Sequence, residues 1–246
     1  MRVWRQLLGG NYERDVSSIG ANTSFQSQAQ WRANLRELRQ HVRYDEPLIN
    51  SEYVVIDTET TGFHPSEDQV LSIAAVVLDI GVHDLRTVFQ TYVALRSGSV
   101  IPKTVQELTG ITPEMLATAP EISDALMQFL RFIGDRIIVA HHAGFDIRFI
   151  NIALRKAFGI ELDHIVLDTG KIAMILHSFD QYPSLDALIA WYDISSSDRH
   201  SAQGDARMTA EIFWVELVQL SHLGIHTLGD LWERLMWLEN SRVIRE

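Results

Sequence analysis

The chain has 246 residues, of which 46% are hydrophobic and 22% are charged, an ordinary composition for a globular domain. Its length suits one domain with a large core, with or without appendages. The absence of cysteine excludes disulfides and thiolate metal sites. No apolar run approaches the roughly 20 residues that span a bilayer, and the first residues, MRVWRQLLGG, lack the apolar core of a secretory signal. We expect a cytoplasmic protein that does not interact with a membrane.

The net charge of −11 is distributed unevenly along the chain. Residues 1–44 contain seven arginines and three acids, whereas the remainder is strongly acidic. An acidic body is not the usual footprint of a nucleic-acid-binding protein. A divalent metal held by several carboxylates would, however, reverse the charge locally.

Residues 29–43, AQWRANLRELRQHVR, predict an amphipathic helix, and its apolar stripe consists of Trp31, Leu35, Leu38 and Val42. Arginines occupy the other side. We favour a helix that packs on the main domain over a basic arm that contacts nucleic acid or a protein partner, because charged runs are usually solvated faces.

Apolar runs separated by turn residues predict the order of the elements in the main domain. In chain order we expect strands at 52–58, 69–79 and 85–95, short helical pieces within 101–120, a helix at 122–133, a strand at 136–140, a helix at 144–158, a strand at 164–169, and helices at 170–177, 184–192 and 203–222. GVHD resembles a hairpin turn between the second and third strands. An antiparallel meander followed by strands that alternate with helices predicts a mixed sheet with helices on its faces.

The residues TLGDLWERLMWLE predict a last helix, with an apolar stripe of Leu228, Leu231, Trp232, Leu235 and Leu238. The pattern divides the chain into a basic N-terminal extension with one amphipathic helix (1–50), a main domain (51–222) and a C-terminal helical extension (223–246).

Acidic residues occur where the pattern predicts the protein core. Asp57 and Glu59 end the run VVIDTET, and because side chains alternate along a strand, both should point to one face of the sheet. Asp146 and Asp205 lie on the apolar stripes of two predicted helices. A buried carboxylate is costly unless it is paired or binds a metal, so four of them predict a metal site.

Each acid taken alone has a structural alternative. Asp205, near a helix start, could be an N-cap, and Arg148 or Arg207 could fold back to form an ion pair. Four converging carboxylates are better explained by Mg²⁺ or Mn²⁺, since these cations prefer oxygen ligands. The pair HH at 141–142 does not predict zinc, because adjacent side chains point apart and no third ligand is in register.

His200 lies five positions before Asp205, just ahead of the same predicted helix. A histidine in a loop is usually a surface residue. Beside a metal site it becomes a candidate general base, because its pKa lies near neutrality.

Three motifs, DTETTG at 57–62, HHAGFD at 141–146 and HSAQGDA at 200–206, resemble those of the DEDDh 3′–5′ exonucleases. This family includes RNase T and the proofreading epsilon subunit of bacterial DNA polymerase III. LTGITPEML at 108–116 is similar to the family's connecting segment, and the resemblance covers roughly residues 52–220. Three motifs in the expected order make a chance match improbable.

The resemblance implies an α/β fold of the RNase H-like type, with a mixed five-stranded sheet flanked by helices. It implies hydrolysis of phosphodiester bonds at the 3′ end of nucleic acid with two divalent ions, Mg²⁺ or Mn²⁺. Asp57 would bridge both ions, whereas Glu59 and Asp205 would hold one and Asp146 the other. His200 would accept the proton of the attacking water.

The resemblance also implies a site for the terminal nucleotide on the turn after the first strand, here Thr60, Thr61 and Gly62. We expect backbone N–H groups of this turn to hold the nucleotide, and Phe63 and Phe145 to stack on bases. Either ring could fill the core instead, and for Phe145 the two interpretations are equally supported.

Two positions depart from the family's pattern. Position 142 is His where the second motif usually has Asn, and position 109 is Thr where the connecting segment often has His. Neither position is an expected metal ligand, so the departures concern the preference for a particular 3′ end.

Three functions are compatible with the sequence. The first is a metal-dependent 3′–5′ exonuclease that acts on DNA or RNA, with DNA the favoured polymer. The second is an accessory or proofreading-type subunit that acts mainly by docking to a DNA polymerase or another protein, as the basic N-terminal helix and Trp232 and Trp237 indicate. The third is RNA trimming, which the sequence does not separate from the first, because recognition of a 2′-OH depends on the detail of a pocket.

Overall fold

The computed structural model describes residues 44–81, 85, 87–196 and 198–243. The basic residues 1–43, with the predicted helix at 29–43, lie outside this part of the chain, as does most of the predicted GVHD turn. In the described residues, no helix has the length and hydropathy needed to cross a membrane.

Strands and helices follow the predicted order. The strands are β1 (Tyr53–Thr60), β2 (Val70–Leu78), β3 (Val88–Tyr92), β4 (Ile137–Ala140) and β5 (Val166–Asp168). The helices are α1 (Lys103–Thr109), α2 (Pro113–Leu116), α3 (Ile122–Ile133), α4 (Gly144–Phe158), α5 (Thr169–His177), α6 (Leu185–Trp191), α7 (Ala202–His222) and α8 (Leu228–Val243). A short 3₁₀ helix, Leu48–Asn50, precedes β1.

The five strands of the described residues form one mixed sheet in the order β3-β2-β1-β4-β5. β1 pairs antiparallel with β2, and β2 with β3. β1 also pairs parallel with β4, and β4 with β5, as expected for strands joined by helical crossovers. The predicted mixed sheet is therefore confirmed. Its parallel strands β1, β4 and β5 all end at the same edge, where ligand sites of such sheets gather.

Helices cover both faces of the sheet. Val54 and Ile56 of β1 pack with α3 and α4 on one face. Tyr53 and Val55 pack with α7 and α8 on the other face. This alternation follows the two-residue period of a strand, and it makes β1 a strand buried on both sides.

Both flanks of the main domain pack against the same core as β1 and α7. The Leu48 N–H donates to the carbonyl of His226, and the Gly229 N–H donates to the carbonyl of Tyr44, each at 2.8 Å. The domain limits at 50 and 222 stay a prediction, but the described parts of the two flanks are bonded to each other.

Helix α8 buries only part of its predicted stripe. Leu228, Leu231 and Leu235 are buried against the core, whereas Trp232 is 43% exposed. The three leucines belong to the core cluster that includes residues of α7, whereas Trp232 lies outside that cluster. Trp237 is also exposed.

Candidate active site

Three carboxylates converge where β1 leaves the sheet. Asp57 and Glu59 lie on the face of β1 that α7 covers, because side chains two residues apart share a face. Asp205, near the start of α7, meets them there. One oxygen from each carboxylate lies within 4.8 Å of the other two. The pairing of β1 with β2 shifts register between Glu59 and Thr60, an irregularity of the kind that re-aims side chains next to active sites.

The start of α7 positions Asp205. Ser201, and not Asp205, is the N-cap, since its Oγ accepts the N–H of Gly204 at 3.1 Å. A glycine is required at 204, because a Cβ there would lie 2.0 Å from the carbonyl oxygen of Asp198. The preceding loop thus folds closely over the helix start, and the His200 N–H donates to Asp205 Oδ1 at 3.3 Å.

Asp146 approaches from the other face of the sheet. It lies in the first turn of α4, is 3% exposed, and accepts a hydrogen bond from Thr58 Oγ1 at 2.6 Å. Thr58 points away from its neighbours Asp57 and Glu59, since adjacent side chains alternate along a strand. The end of β1 therefore lies between carboxylates that come from both helical layers.

Burial and mutual repulsion oppose ionisation of these acids. Burial first, and then the charges of Asp205 and Asp146, raise the pKa of Glu59 to about 8. Burial raises the pKa of Asp146 to about 7 against the opposing hydrogen bond from Thr58. Burial and the charges of the neighbouring acids also raise the pKa of Asp57 well above its usual range. A cation between the carboxylates would offset both causes, because its charge stabilises the ionised form of each acid.

The donor set fits a hard divalent cation. Among the described residues, the group of acids and histidines close enough together to share one ion consists of carboxylates alone. Two buried hydroxyls beside this group, Ser72 Oγ and Thr209 Oγ1, have no hydrogen-bond partner within the described part of the chain. Ser72 pairs with Glu59 across the sheet, and Thr209 lies one turn after Asp205. Polar groups left open in this way suit a hydrated ion better than a dry core.

The histidines of the motifs have different surroundings. His200 is half-buried and has a left-handed backbone, with φ of 66°. The Nδ1 atom of His141 lies 3.0 Å from Thr169 Oγ1, and the ring of the exposed His142 packs against Tyr182. Burial lowers the pKa of His141 to about 4, so its ring is neutral at physiological pH. In the described residues, neither histidine of the pair at 141–142 lies in a group of side chains close enough together to share one metal ion.

The basic partner of Asp205 is Arg199, which sequence reasoning missed. One terminal nitrogen of the guanidinium binds Asp205 Oδ2, and its Nε donates to Asp186 Oδ1 at 2.7 Å. Arg148, considered from the sequence as a possible partner, instead donates to the carbonyl of Gly144 at 3.0 Å. The sequence contained one signal for this ion pair: Arg199 lies directly before His200, in the loop that leads to Asp205.

A second missed group holds the loop between β4 and α4. Asp168, the last residue of β5, accepts the Ala143 N–H at 3.0 Å and the Tyr182 hydroxyl at 2.5 Å. The Tyr182 oxygen in turn accepts the His142 N–H at 2.7 Å. The Tyr182 ring packs against Gly170, where a Cβ would lie 2.1 Å from the ring. These contacts fix the turn that begins α4 and therefore the position of Asp146.

The residues predicted to hold the terminal nucleotide lie beside the acids, but their polar groups are partly engaged. Thr60 belongs to β1 and not to the turn, and its Oγ1 donates to the carbonyl of Gly62 at 2.6 Å. The Thr61 N–H donates to the carbonyl of Gln69, and its Oγ1 donates to Asp68 at 2.9 Å. The expectation that the Thr61 N–H is free to hold a nucleotide is therefore wrong.

The two predicted stacking rings differ in exposure. Phe63 is 83% exposed, whereas Phe145 is half-buried and packs against Phe149 at a centroid distance of 4.9 Å. The rings of Phe63 and Phe145 meet edge to face beside the end of β1, with 6.2 Å between their centroids. Phe63 therefore presents a free aromatic face, and Phe145 supports it from the core.

Known proteins resemble this chain over most of its length. A model of the RNase T type exonuclease family matches residues 54–213. A PolC-type DNA polymerase III of Thermotoga petrophila is 31% identical over 216 residues, which are 88% of this chain and 15% of that protein. The DNA polymerase III subunit epsilon of Aquifex aeolicus is 36% identical over 166 residues, which are 68% of this chain and 80% of the subunit. The chain thus spans a small part of the PolC-type relatives.

Solved structures share the fold. Exonuclease I of E. coli in complex with a dA16 oligonucleotide has a TM-score of 0.62 and 19% identity, over 77% of this chain and 46% of that chain. Exonuclease X in complex with 5′ overhanging duplex DNA has a TM-score of 0.53 and 24% identity, over 70% of this chain and 93% of that chain. The predicted RNase H-like architecture is confirmed.

The family model and the relatives agree with the resemblance carried by the three motifs. They also confirm the predicted enzyme class, a 3′–5′ exonuclease. With motifs, fold and relatives in agreement, this chain belongs to the exonuclease family that includes the epsilon subunit of DNA polymerase III.

Proposed function

We propose that this chain removes nucleotides from the 3′ end of DNA by hydrolysing the terminal phosphodiester bond with two divalent ions. The observation that carries the proposal is the convergence of Asp57, Glu59 and Asp205 within 4.8 Å, with Asp146 on the other side of the same strand end. Without a cation, this group of acids would be a source of instability with no structural benefit.

Each carboxylate has a separate role in this proposal. Asp57, Glu59 and Asp205 would hold one ion, and Asp146 together with Asp57 would hold the other. Bound there, Mg²⁺ or Mn²⁺ would stabilise negative charge on the attacking and leaving oxygens of the phosphodiester. Thr58 keeps the Asp146 carboxylate turned toward the strand end through its hydrogen bond.

His200 is the proposed general base. Its N–H bond to Asp205 and its left-handed backbone keep it next to the carboxylates while its ring remains partly accessible. A neutral imidazole in this position accepts the proton of the attacking water and passes it to solvent. Phe63 stacks on the terminal base and limits its motion during the reaction.

DNA is the preferred polymer in this proposal. One relative is a PolC-type DNA polymerase III and another is a DNA polymerase III subunit epsilon, and the two structural neighbours carry DNA in their complexes. A second candidate function is that of a proofreading-type subunit that docks to a polymerase. The exposed Trp232, Met236 and Trp237 on α8 favour it, because large apolar side chains are seldom exposed together without a partner. A cytoplasmic location stays a prediction.

The test is digestion of 5′-labelled single-stranded DNA and of the same sequence in RNA, each with Mg²⁺, Mn²⁺ or EDTA. We expect a metal-dependent ladder that shortens from the 3′ end, with DNA degraded faster than RNA. The variant Asp57→Asn, purified in the same way, controls for contaminating nuclease. Faster loss of RNA would reverse the assigned polymer, and no cleavage by folded protein would favour the docking function.

A further inference from the structure

One cation is already present among the acids of the site, namely the guanidinium of Arg199. Its side chain is only 20% exposed, and it binds Asp205 Oδ2, while the Asp205 side chain is 9% exposed. The other oxygen of Asp205 accepts the His200 N–H. Both oxygens of this proposed metal ligand are therefore occupied by donors from the two-residue segment that includes the candidate base.

Arg199 and a metal ion would compete for the same carboxylate. An ion bound through Asp205 Oδ2 would share that oxygen with the guanidinium, and two cations at this distance repel each other. Binding of an ion through Oδ2 therefore favours movement of Arg199 away from Asp205.

Asp186 provides a place to which Arg199 can withdraw. It lies in the first turn of α6, its side chain is 68% exposed, and it binds the Nε atom of Arg199 at 2.7 Å. Since the two contacts use different nitrogens, Arg199 can leave Asp205 and stay bonded to Asp186. A simple buried ion pair would have no need of this second, solvent-exposed acceptor.

We propose that Arg199 is a positioning residue that neutralises Asp205 in the metal-free enzyme and is transferred to Asp186 when a divalent ion binds. The proposal rests on the metal site of the proposed function. It predicts opposite effects of Arg199 and Asp186 on metal binding. Arg199 must weaken metal binding, because it occupies a ligand, and Asp186 must strengthen it, because it holds the displaced guanidinium.

The experiment is titration of the EDTA-treated full chain with Mn²⁺, followed by calorimetry and by the electron paramagnetic resonance signal of free Mn²⁺. We expect Arg199→Gln to bind Mn²⁺ about 10-fold more tightly than the unaltered chain, because the variant lacks the positive charge that repels the ion. The control is Arg155→Gln, which removes the same charge from the surface of α4. There Arg155 forms a half-exposed ion pair with Glu161, a residue that follows the helix. The control should leave Mn²⁺ affinity within about 2-fold, since solvent screens distant charges.

Asp186→Asn gives the opposite result if the proposal holds. We expect Mn²⁺ affinity to fall about 3-fold, because the displaced guanidinium loses its acceptor. In the double variant Arg199→Gln with Asp186→Asn, the effect of the Asp186 substitution should disappear, since coupled residues are not additive. An Asp186 effect that persists without Arg199 would show that Asp186 acts on the ion directly, and it would overturn the transfer.

The outcomes separate the two proposals. Failure of the unaltered chain to bind Mn²⁺ would contradict the metal site itself. Binding that is unchanged or weaker in Arg199→Gln would contradict only the role of Arg199. If Arg199→Gln fails to fold without metal, Arg199→Lys serves in its place. Lysine keeps the charge but cannot hold both acids with separate nitrogens, so Arg199→Lys should bind Mn²⁺ more tightly than the unaltered chain.

Discussion

Two parallel strands of the sheet carry an aspartate at the same edge, and the surroundings of these two residues are opposite. Asp168 ends β5 and accepts the Ala143 N–H, the Lys171 N–H and the Tyr182 hydroxyl. Asp57 near the end of β1 has acids for neighbours, and its pKa is raised by burial and by their charges. An aspartate in the same topological position is thus hydrogen-bonded by protein donors at the end of β5 and surrounded by other acids at the end of β1.

The difference separates a structural carboxylate from a functional one. Protein donors fill the lone pairs of Asp168, so it can cap α5 and hold the loop that begins α4. Asp57 and Glu59 instead have other acids as neighbours, and burial and the charges of those acids raise the pKa of both carboxyls. A count of donors around a buried acid therefore says more about its role than burial alone.

The largest expected effect is that of Asp57→Asn. We expect activity to fall about 10⁴-fold or more, because in the proposed mechanism Asp57 is the ligand that both ions would share. Without metal, the melting temperature should stay the same or rise, since one of several repelling acids has been neutralised. Activity is measured on labelled DNA and stability by thermal unfolding in EDTA. A variant that unfolds would place Asp57 with Asp168 among the structural acids.

His200→Ala should slow turnover by about 10²- to 10⁴-fold, the usual contribution of a general base. Its Mn²⁺ affinity should change little, because its ring is assigned to proton transfer and not to the metal. Single-turnover rates and Mn²⁺ titration test the two parts separately. Parallel losses of rate and affinity would instead assign the imidazole to the ligands of the ion.

The metal-free protein should lose stability as the pH rises from about 5 to 8. The folded pKa of Glu59 is about 8 and that of Asp146 about 7, both above the values of the unfolded chain. Between these limits the folded state binds protons that the unfolded state has released, so the free energy of unfolding falls with pH by a few kcal/mol. Urea unfolding in EDTA at each pH measures the slope.

Two controls sharpen the pH experiment. Glu59→Gln removes one of the titrating groups and should make the profile shallower. Saturating Mn²⁺ should abolish the loss above pH 7, because the ion stabilises the ionised carboxylates. A metal-free profile that rises with pH would mean that the acids at the end of β1 are paired, as Asp168 is.

Asp168→Asn tests the structural role of the acid that accepts three hydrogen bonds from the protein. We expect the free energy of unfolding to fall by about 2–3 kcal/mol. The amide has an NH₂ group where Asp168 has an oxygen, so at least one of the three donors bound there loses its acceptor. Tyr182→Phe, which removes only one of these partners, should cost about 1 kcal/mol. Urea unfolding compares the two variants. An Asp168→Asn protein as stable as the unaltered chain would remove the distinction between the two strand ends.

The smallest expected effect is that of Phe63→Ala. We expect the KM for single-stranded DNA to rise about 10-fold from the loss of one stacked base. The melting temperature should not change, because the ring is 83% exposed. Phe149→Ala is the matched control in the core and should lower stability. A stability loss for Phe63→Ala without a change in KM would assign its ring to packing.

The sequence by itself determined the order of the strands and helices and the three acidic motifs. Helices α3 and α4 begin and end where their periodicity predicts, at Ile122–Ile133 and Gly144–Phe158. These features depend on residues within a few turns of one another, and local spacing encodes them directly. The mixed sheet followed from the same information, because short turns and helical crossovers permit few topologies.

Only the tertiary structure decided how each acid is satisfied. Asp146 meets the end of β1 from the face opposite Asp205, through a bond with a residue 88 positions away. The contacts of Arg199 with Asp186 and of Asp168 with Tyr182 join side chains from different elements. No local period records such pairs, since they depend on how helices and loops pack around the sheet edge. The sequence therefore determined where the acids lie along the chain, and the packing determined which of them the protein itself neutralises.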